Sequence, residues 1–266
     1  MTRLPTLFLP HGGGPWPFVD MGIGTPAELE GLRGWLASVS RIPAQAPRAL
    51  LVISAHWEED KPTLMTAGKP GMLCDYYGFS PPSYQLTWPA PGAPELVERV
   101  SGLLRAGGFG VGLDPARGFD HGTFVPLKVA YPAPTIPTLQ LSLQRGLDPA
   151  EHLALGRALA PLRDEGVFIL GSGSTFHNLR AFNHPDAPRA AAAFDAWLRA
   201  TTLAPRAERE EALIAWASAP FARFCHPREE HLIPLMVCAG AGLDDAGSVP
   251  YARPFFGVAT SAHQFG

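Results

Sequence analysis

Nine histidines punctuate this chain, and their placement is its main chemical signal. His11 follows the apolar run Leu7-Phe8-Leu9-Pro10 and precedes Gly12-Gly13-Gly14. An imidazole on a glycine rim suits two chemistries. It can ligate a metal, or it can belong to the His-Gly-Gly-Gly oxyanion element of a lipase-like hydrolase. His56 ends the apolar run Leu50 to Ala55, and His177 follows Val167 to Leu170 and Gly171-Ser172-Gly173-Ser174. His121 sits in the glycine-bracketed loop Gly118-Phe119-Asp120-His121-Gly122. A lone histidine at such a place is ordinarily a hydrogen-bonding side chain. Several at one edge of a sheet are costly to bury without a shared cation or proton-transfer task. Nitrogen-rich ligation suits zinc or ferrous iron, and histidine with carboxylate at open positions favours iron.

His226 and His231 frame Pro227-Arg228-Glu229-Glu230. A helix residue advances by about 100° per step, so this spacing does not put both rings on one face. A helix from Pro227 to Ala241 would make His226 its cap and put His231 in the second turn, with a local break at Pro234. The acids suit the positive end of a helix dipole. That accounts for Glu229 but leaves His231 unexplained, and Glu230 competes with it as a metal ligand. His152, His184 and His263 read as surface or hydrogen-bonded side chains in a helix, a loop and a tail. Gly171 to Ser174 fits neither the dinucleotide nor the P-loop pattern.

The elements that must position these groups alternate. Strands are expected at Leu7 to Pro10, Arg48 to Ala55, Pro62 to Ala67, Phe109 to Leu113, Thr135 to Leu143, Val167 to Leu170 (broken by Gly171) and Phe255 to Thr260. Helices are expected at Pro26 to Val39, capped by Thr25, at Pro94 to Ala106, and from Thr123. Further ones are expected at Pro149 to Asp164, capped by Asp148, at Pro188 to Ala200 and at Arg206 to Ala217. Cys74 to Pro91 reads as an aromatic, proline-rich loop. The pattern predicts one layered α/β domain over residues 1–266, with a mixed, largely parallel central sheet flanked by helices. In such sheets ligands bind beyond the carboxyl ends of the strands, where His11, His56 and His177 would converge.

Composition narrows the function classes. The chain has 266 residues, 46% hydrophobic and 17% charged, with a formal net charge of -3. Its charges are scattered, with no basic block for nucleic acid or an anionic membrane. Its apolar runs are too short to span a bilayer, and the N-terminus lacks a signal peptide's pattern. The three cysteines have no paired spacing, which points to a reducing, cytoplasmic setting.

Taken together, Pro10 to Pro15, Ser54-Ala55-His56-Trp57, Asp75-Tyr76-Tyr77-Gly78-Phe79, Pro89 to Gly92, Gly118 to Gly122, Gly171-Ser172-Gly173 leading to His177-Asn178-Leu179, and His226 to Leu235 resemble the extradiol ring-cleavage dioxygenases of the LigB-like superfamily, in the DOPA-4,5-dioxygenase-type branch. The ordered set spans almost the whole chain. The resemblance implies a non-haem Fe(II) enzyme, with Zn(II) as an alternative occupant, that inserts O2 into a catechol and opens the ring beside the diol. It implies His11, His56 and His231 as ligands, His177 as acid/base and His121 as an assisting group. Tyr76, Phe79, Asp120 and His226 are the expected substrate-binding residues. The superfamily commonly uses a carboxylate as third ligand, which keeps Glu230 beside His231. The implied partners are a small aromatic diol and O2, in a monomer or homodimer, with no nucleic acid and no membrane. The rival readings are a hydrolase, metal-dependent or serine-based, and a non-catalytic metal-binding relative. The serine version needs a G-x-S-x-G elbow, and the chain has none.

Overall fold

The computed structural model describes residues 2–266. In chain order the elements are β1 (Thr6–Pro10), α1 (Pro26–Leu36), β2 (Ala49–Glu59), β3 (Thr63–Met65), β4 (Met72–Leu73), α2 (Pro94–Ala106), β5 (Gly112–Asp114), β6 (Phe119–Asp120) and α3 (His121–Ala130). They continue as β7 (Thr138–Gln144), α4 (Pro149–Leu159), β8 (Val167–Gly173), α5 (Ala187–Leu203), α6 (Arg206–Ile214), α7 (Ala222–Cys225), α8 (Ile233–Gly242), β9 (Gly247–Phe255) and β10 (Val258–Phe265). Eight strands form one sheet in the order β5-β3-β7-β2-β8-β1-β10-β9. β7, β2, β8 and β1 are parallel neighbours. β3 and β10 join this core antiparallel. The sheet is therefore mixed and largely parallel at its centre, as the alternating pattern predicts. β4 and β6 pair separately.

Strand alternation divides the interior into two cores. Leu51 and Ile53 of β2, Phe8 of β1 and Ile169 of β8 face one side, with α2, α4, α5 and α8. Leu50, Val52, Leu7, Leu9, Phe168 and Leu170 face the other, with α1 and α3. Strands covered on both faces read as continuous apolar runs, which is why the central strands are the cleanest in the sequence. All ten residues of α8 are buried. Each large side chain there contributes roughly 1.5–3 kcal/mol of transfer free energy. Among the described residues no helix is long and apolar enough to cross a membrane.

Local signals set the helix starts. Thr25 and Glu28 form a complete capping box on α1, and Asp148 accepts from the Glu151 backbone N–H at the start of α4.

Several expectations need correction. β8 is not broken at Gly171; it runs through Gly173, paired on one side with β1 as far as Pro10. A Cβ at Gly173 would lie 2.1 Å from the His231 carbonyl oxygen, and one at Gly171 would lie 2.6 Å from that of Pro234. These glycines let the start of α8 rest directly on the sheet. α8 itself begins at Ile233, not Pro227. Pro234 thus sits in the first turn, where its missing N–H breaks no helical bond. The end of the chain is a hairpin of β9 and β10 rather than one strand and a tail, so His263 is an interior strand residue.

Candidate metal centre

Three neighbouring parallel strands, β2, β8 and β1, deliver the site. His11 leaves the end of β1, where its N–H bonds the Gly173 carbonyl at 3.1 Å. His56 lies within the long β2 strand. His231 arrives from the opposite direction, in the turn before α8, and its carbonyl accepts the Ser174 N–H at 3.0 Å. The imidazoles converge through Nε2: His56 is 3.3 Å from His11 and 3.2 Å from His231. Two imidazole nitrogens sharing an ion at about 2.0–2.1 Å, at roughly tetrahedral or octahedral angles, stand about 2.9–3.4 Å apart. The donor set therefore fits a divalent cation.

Two carboxylates fix which ring nitrogens carry protons. Glu230 Oε1 lies 2.9 Å from Nδ1 of both His231 and His177. Burial opposes its ionisation, but the His177 hydrogen bond, a backbone N–H and the Arg228 charge together hold its pKa below the usual range. An ionised carboxylate only accepts, so both Nδ1 atoms donate, and in a neutral ring so held the lone pair lies on Nε2. Asp75 does the same across the site. Its Oδ1 accepts from His121 Nδ1 at 2.7 Å and from the His121 backbone N–H at 3.0 Å. Its Oδ2 lies 3.6 Å from His56 Nδ1. Burial raises the Asp75 pKa, and the bonds from His121 more than offset this. Each acid thus bonds a flanking histidine; Glu230 also bonds the converging His231, whereas Asp75 stands beside His56 without a hydrogen bond to it. Glu230 points its Oε1 at two Nδ1 atoms, while His231 turns its Nε2 toward His56.

Burial pushes the pKa values of His11, His56 and His231 well below the ordinary value, and the charges of neighbouring histidines push them further. All three are neutral imidazoles, the form that ligates a metal. His177 stacks on His231 with ring centroids 3.2 Å apart, and His121 lies over His56 at 3.9 Å. The loop bearing His177 is tied to α7: its N–H bonds the Cys225 carbonyl, and the Asn178 amide bonds that of Phe224.

The histidines form the floor of a cavity of about 870 Å³, and Tyr76 and Phe79 line one wall. The Tyr76 hydroxyl turns away and donates to the Ser83 carbonyl at 2.6 Å, so its contribution to the wall is its ring. Two expected substrate-binding residues lie outside this cavity. Asp120 is fully buried at the start of α3, where it accepts from Ser54, Arg117, Gln140 and the Thr123 backbone N–H. It holds β2, β7 and α3 together beneath the site. His226 is also fully buried, against Phe194 and Trp216, with Nε2 beside the Thr175 carbonyl. Its position next to the His231 segment attracted the assignment, but the chain turns between them. The three glycines after His11 line this cavity, and a Cβ at Gly12, Gly13 or Gly14 would meet Trp16, Phe256 or Phe79.

Asp75 is the residue the sequence reading passed over. Forty-six positions separate it from His121, and no spacing rule joins them. Its place at the head of the Asp75-Tyr76-Tyr77 run, beside a loop of ring-bearing residues, was the available signal.

Residues 6–261 match the family described as the catalytic LigB subunit of aromatic ring-opening dioxygenase. The 4,5-DOPA dioxygenase extradiol of Beta vulgaris is 41% identical over 240 residues, covering 89% of this chain and 86% of that protein. Dioxygenase tasH of Hapsidospora irregularis is 36% identical over 284 residues, covering 100% and 86%. The crystal structure of an uncharacterized protein from Escherichia coli K12 superposes with a TM-score of 0.79 at 28% identity, covering 99% of this chain and 100% of that one. With the matched profile spanning nearly all of the sheet and every histidine of the cluster, the chain belongs to the LigB family of aromatic ring-opening dioxygenases and is an extradiol-type ring-cleaving enzyme.

Proposed function

We propose that His11, His56 and His231 hold a divalent iron, with zinc as the redox-inert alternative, and that the enzyme opens a catechol ring beside its diol using O2. The observation that carries this reading is the convergence of three buried Nε2 atoms, with Glu230 hydrogen-bonded behind His231 and Asp75 beside His56. A metal held by these residues would supply open positions for the two diol oxygens and for O2. The chain's own residues do the rest. Neutral imidazoles add no negative charge, so the site favours an anionic catecholate over the neutral diol. His177 donates its Nδ1–H to Glu230, which leaves Nε2 as the basic atom facing the cavity. It takes the second hydroxyl proton and later returns one to the opening product. His121, held by Asp75, offers its other nitrogen as a hydrogen-bond partner to oxygen atoms on the His56 side. Tyr76 and Phe79 supply an apolar wall for a flat ring.

The test is anaerobic loading with Fe(II), followed by oxygen uptake and ultraviolet–visible spectra across a catechol panel that includes DOPA. Stoichiometric O2 consumption with a new visible absorbance from the ring-opened product is the expected result. A loaded enzyme that consumes no O2 with any of them would overturn the reading. A serine hydrolase is disfavoured by the same geometry: the oxyanion-type glycines are packed under aromatic rings, and Ser172 donates to the Gly122 carbonyl inside the protein.

A further inference from the structure

The cavity extends well past the histidine floor, and its outer part has its own chemistry. At about 870 Å³ it lies near the top of the range for drug-sized ligands, roughly 300–1,000 Å³. That is far more than one six-membered ring requires. Met21, Ile23, Leu179, Phe182, Phe256 and Val258 line it beyond the cluster. Apart from the histidines, the only cation among the lining residues is Arg228. It is already held by both carboxylate oxygens of Glu58, at 2.5 Å each, and lies 3.5 Å from Glu230. The lining acids, Asp75 and Glu230, are committed to hydrogen bonds with histidines. Asn183, Ser174 and Thr260 provide uncharged polar groups.

We propose that this site takes catechols whose ring substituent is bulky and uncharged, in preference to those bearing a carboxylate or an amino-acid side chain. The inference rests on the catechol reading of the metal centre and adds the class of substituent. A carboxylate carried into the outer cavity would leave water for apolar walls, where the one lining guanidinium, Arg228, is already paired with Glu58. An ammonium would be desolvated with no unengaged carboxylate to receive it. An alkyl, aryl or ester group buries its surface on Phe182, Phe256 and Val258.

The experiment is anaerobic calorimetry on the zinc-loaded protein, which reads binding without turnover. The ligands are 4-methylcatechol, 4-hexylcatechol, 3-(3,4-dihydroxyphenyl)propanoate, its ethyl ester, and 4-(2-aminoethyl)catechol. The expected result is that hexylcatechol binds about tenfold or more tighter than methylcatechol, and the ester about tenfold or more tighter than the acid and the amine. The acid or the amine binding as tightly as the ester, with methylcatechol bound normally, would overturn this inference alone. Failure of methylcatechol to bind would overturn the catechol reading with it. Leu179→Arg places a cation on the exposed lip of the cavity. It should narrow the ester-to-acid ratio several-fold, and an unchanged ratio would count against the cavity's charge as the cause.

Discussion

Replacing Glu230 by glutamine tests the central physical claim, that one carboxylate sets the protonation of two imidazoles with different tasks. The substitution keeps size and shape and removes the charge. In the parent chain Oε1 accepts from Nδ1 of His177 and of His231, each at 2.9 Å. An amide oxygen in the same place can still accept both bonds but loses the ionic part, and hydrogen bonds to charged groups contribute about 1.5–3 kcal/mol against about 1 for neutral ones. Losing the carboxylate behind a metal-ligating histidine typically lowers metal affinity by about 10–100-fold. That is the expected loss for Fe(II) or Zn(II), read by competition with a chromophoric chelator. At saturating metal kcat should still fall by about tenfold or more, because a neutral amide no longer stabilises the imidazolium that His177 becomes when it takes a proton. The two readouts report on different histidines, so they separate the two roles. Glu58→Gln is the comparison, since it frees Arg228 without touching either imidazole. Wild-type metal affinity together with wild-type kcat in Glu230→Gln would refute the reasoning. A loss of metal binding beyond about a thousandfold would instead mark Glu230 as a ligand in its own right.

Other outcomes follow from the same geometry. His177→Gln should retain metal and catechol binding by calorimetry while lowering kcat by about 10²–10⁴-fold, and a variant with full kcat would remove the acid/base role. His56→Ala takes away the ring whose Nε2 lies within 3.3 Å of both others, so elemental analysis after dialysis should find little bound metal; a full equivalent would point to a different donor set. Gly173→Ala puts a methyl group 2.1 Å from the His231 carbonyl oxygen, so denaturant unfolding should show a loss of about 1–3 kcal/mol together with weakened metal binding. His226 and His263, both fully buried, have pKa values pushed down to about 3 chiefly by burial. The unfolded chain takes up these protons near pH 6.5 and the folded chain only near 3, so stability is complete above about pH 6.5 and declines as pH falls towards 3. Each should cost roughly 2 kcal/mol by pH 5, and a urea midpoint flat from pH 7 to 5 would contradict their neutral burial.

The sequence by itself determined the layering and most of the donors. β1, β2 and β8 are apolar because both faces of the sheet are covered, and continuous runs of this kind are legible without coordinates. The ends of those strands place His11, His56 and His177 at one edge, because ligand sites in such sheets follow strand direction. Thr25, Asp148 and Pro94 announced helix starts through local backbone chemistry, which depends on neighbours a few residues away. What the sequence missed depends on contacts between distant segments. The start of α8 moved from Pro227 to Ile233, which removed His226 from the site and left His231 in a turn against β8. Asp120 passed from expected substrate contact to a buried hub, since its partners Ser54 and Gln140 come from two other strands. The glycines after His11 make room for Trp16, Phe79 and Phe256, and two of those three rings come from segments far along the chain. Above all, only the tertiary structure distinguishes the geometry of His231, with Nε2 toward His56, from that of Glu230, bonded to two Nδ1 atoms. Adjacent residues carry no information about which side chain aims at a cluster and which holds the other in place. That depends on where the third strand and the His177 loop put their Nδ1 and Nε2 atoms, and only the folded chain brings a carboxylate between two imidazoles 54 positions apart in sequence, on the loop after β8 and in the turn before α8.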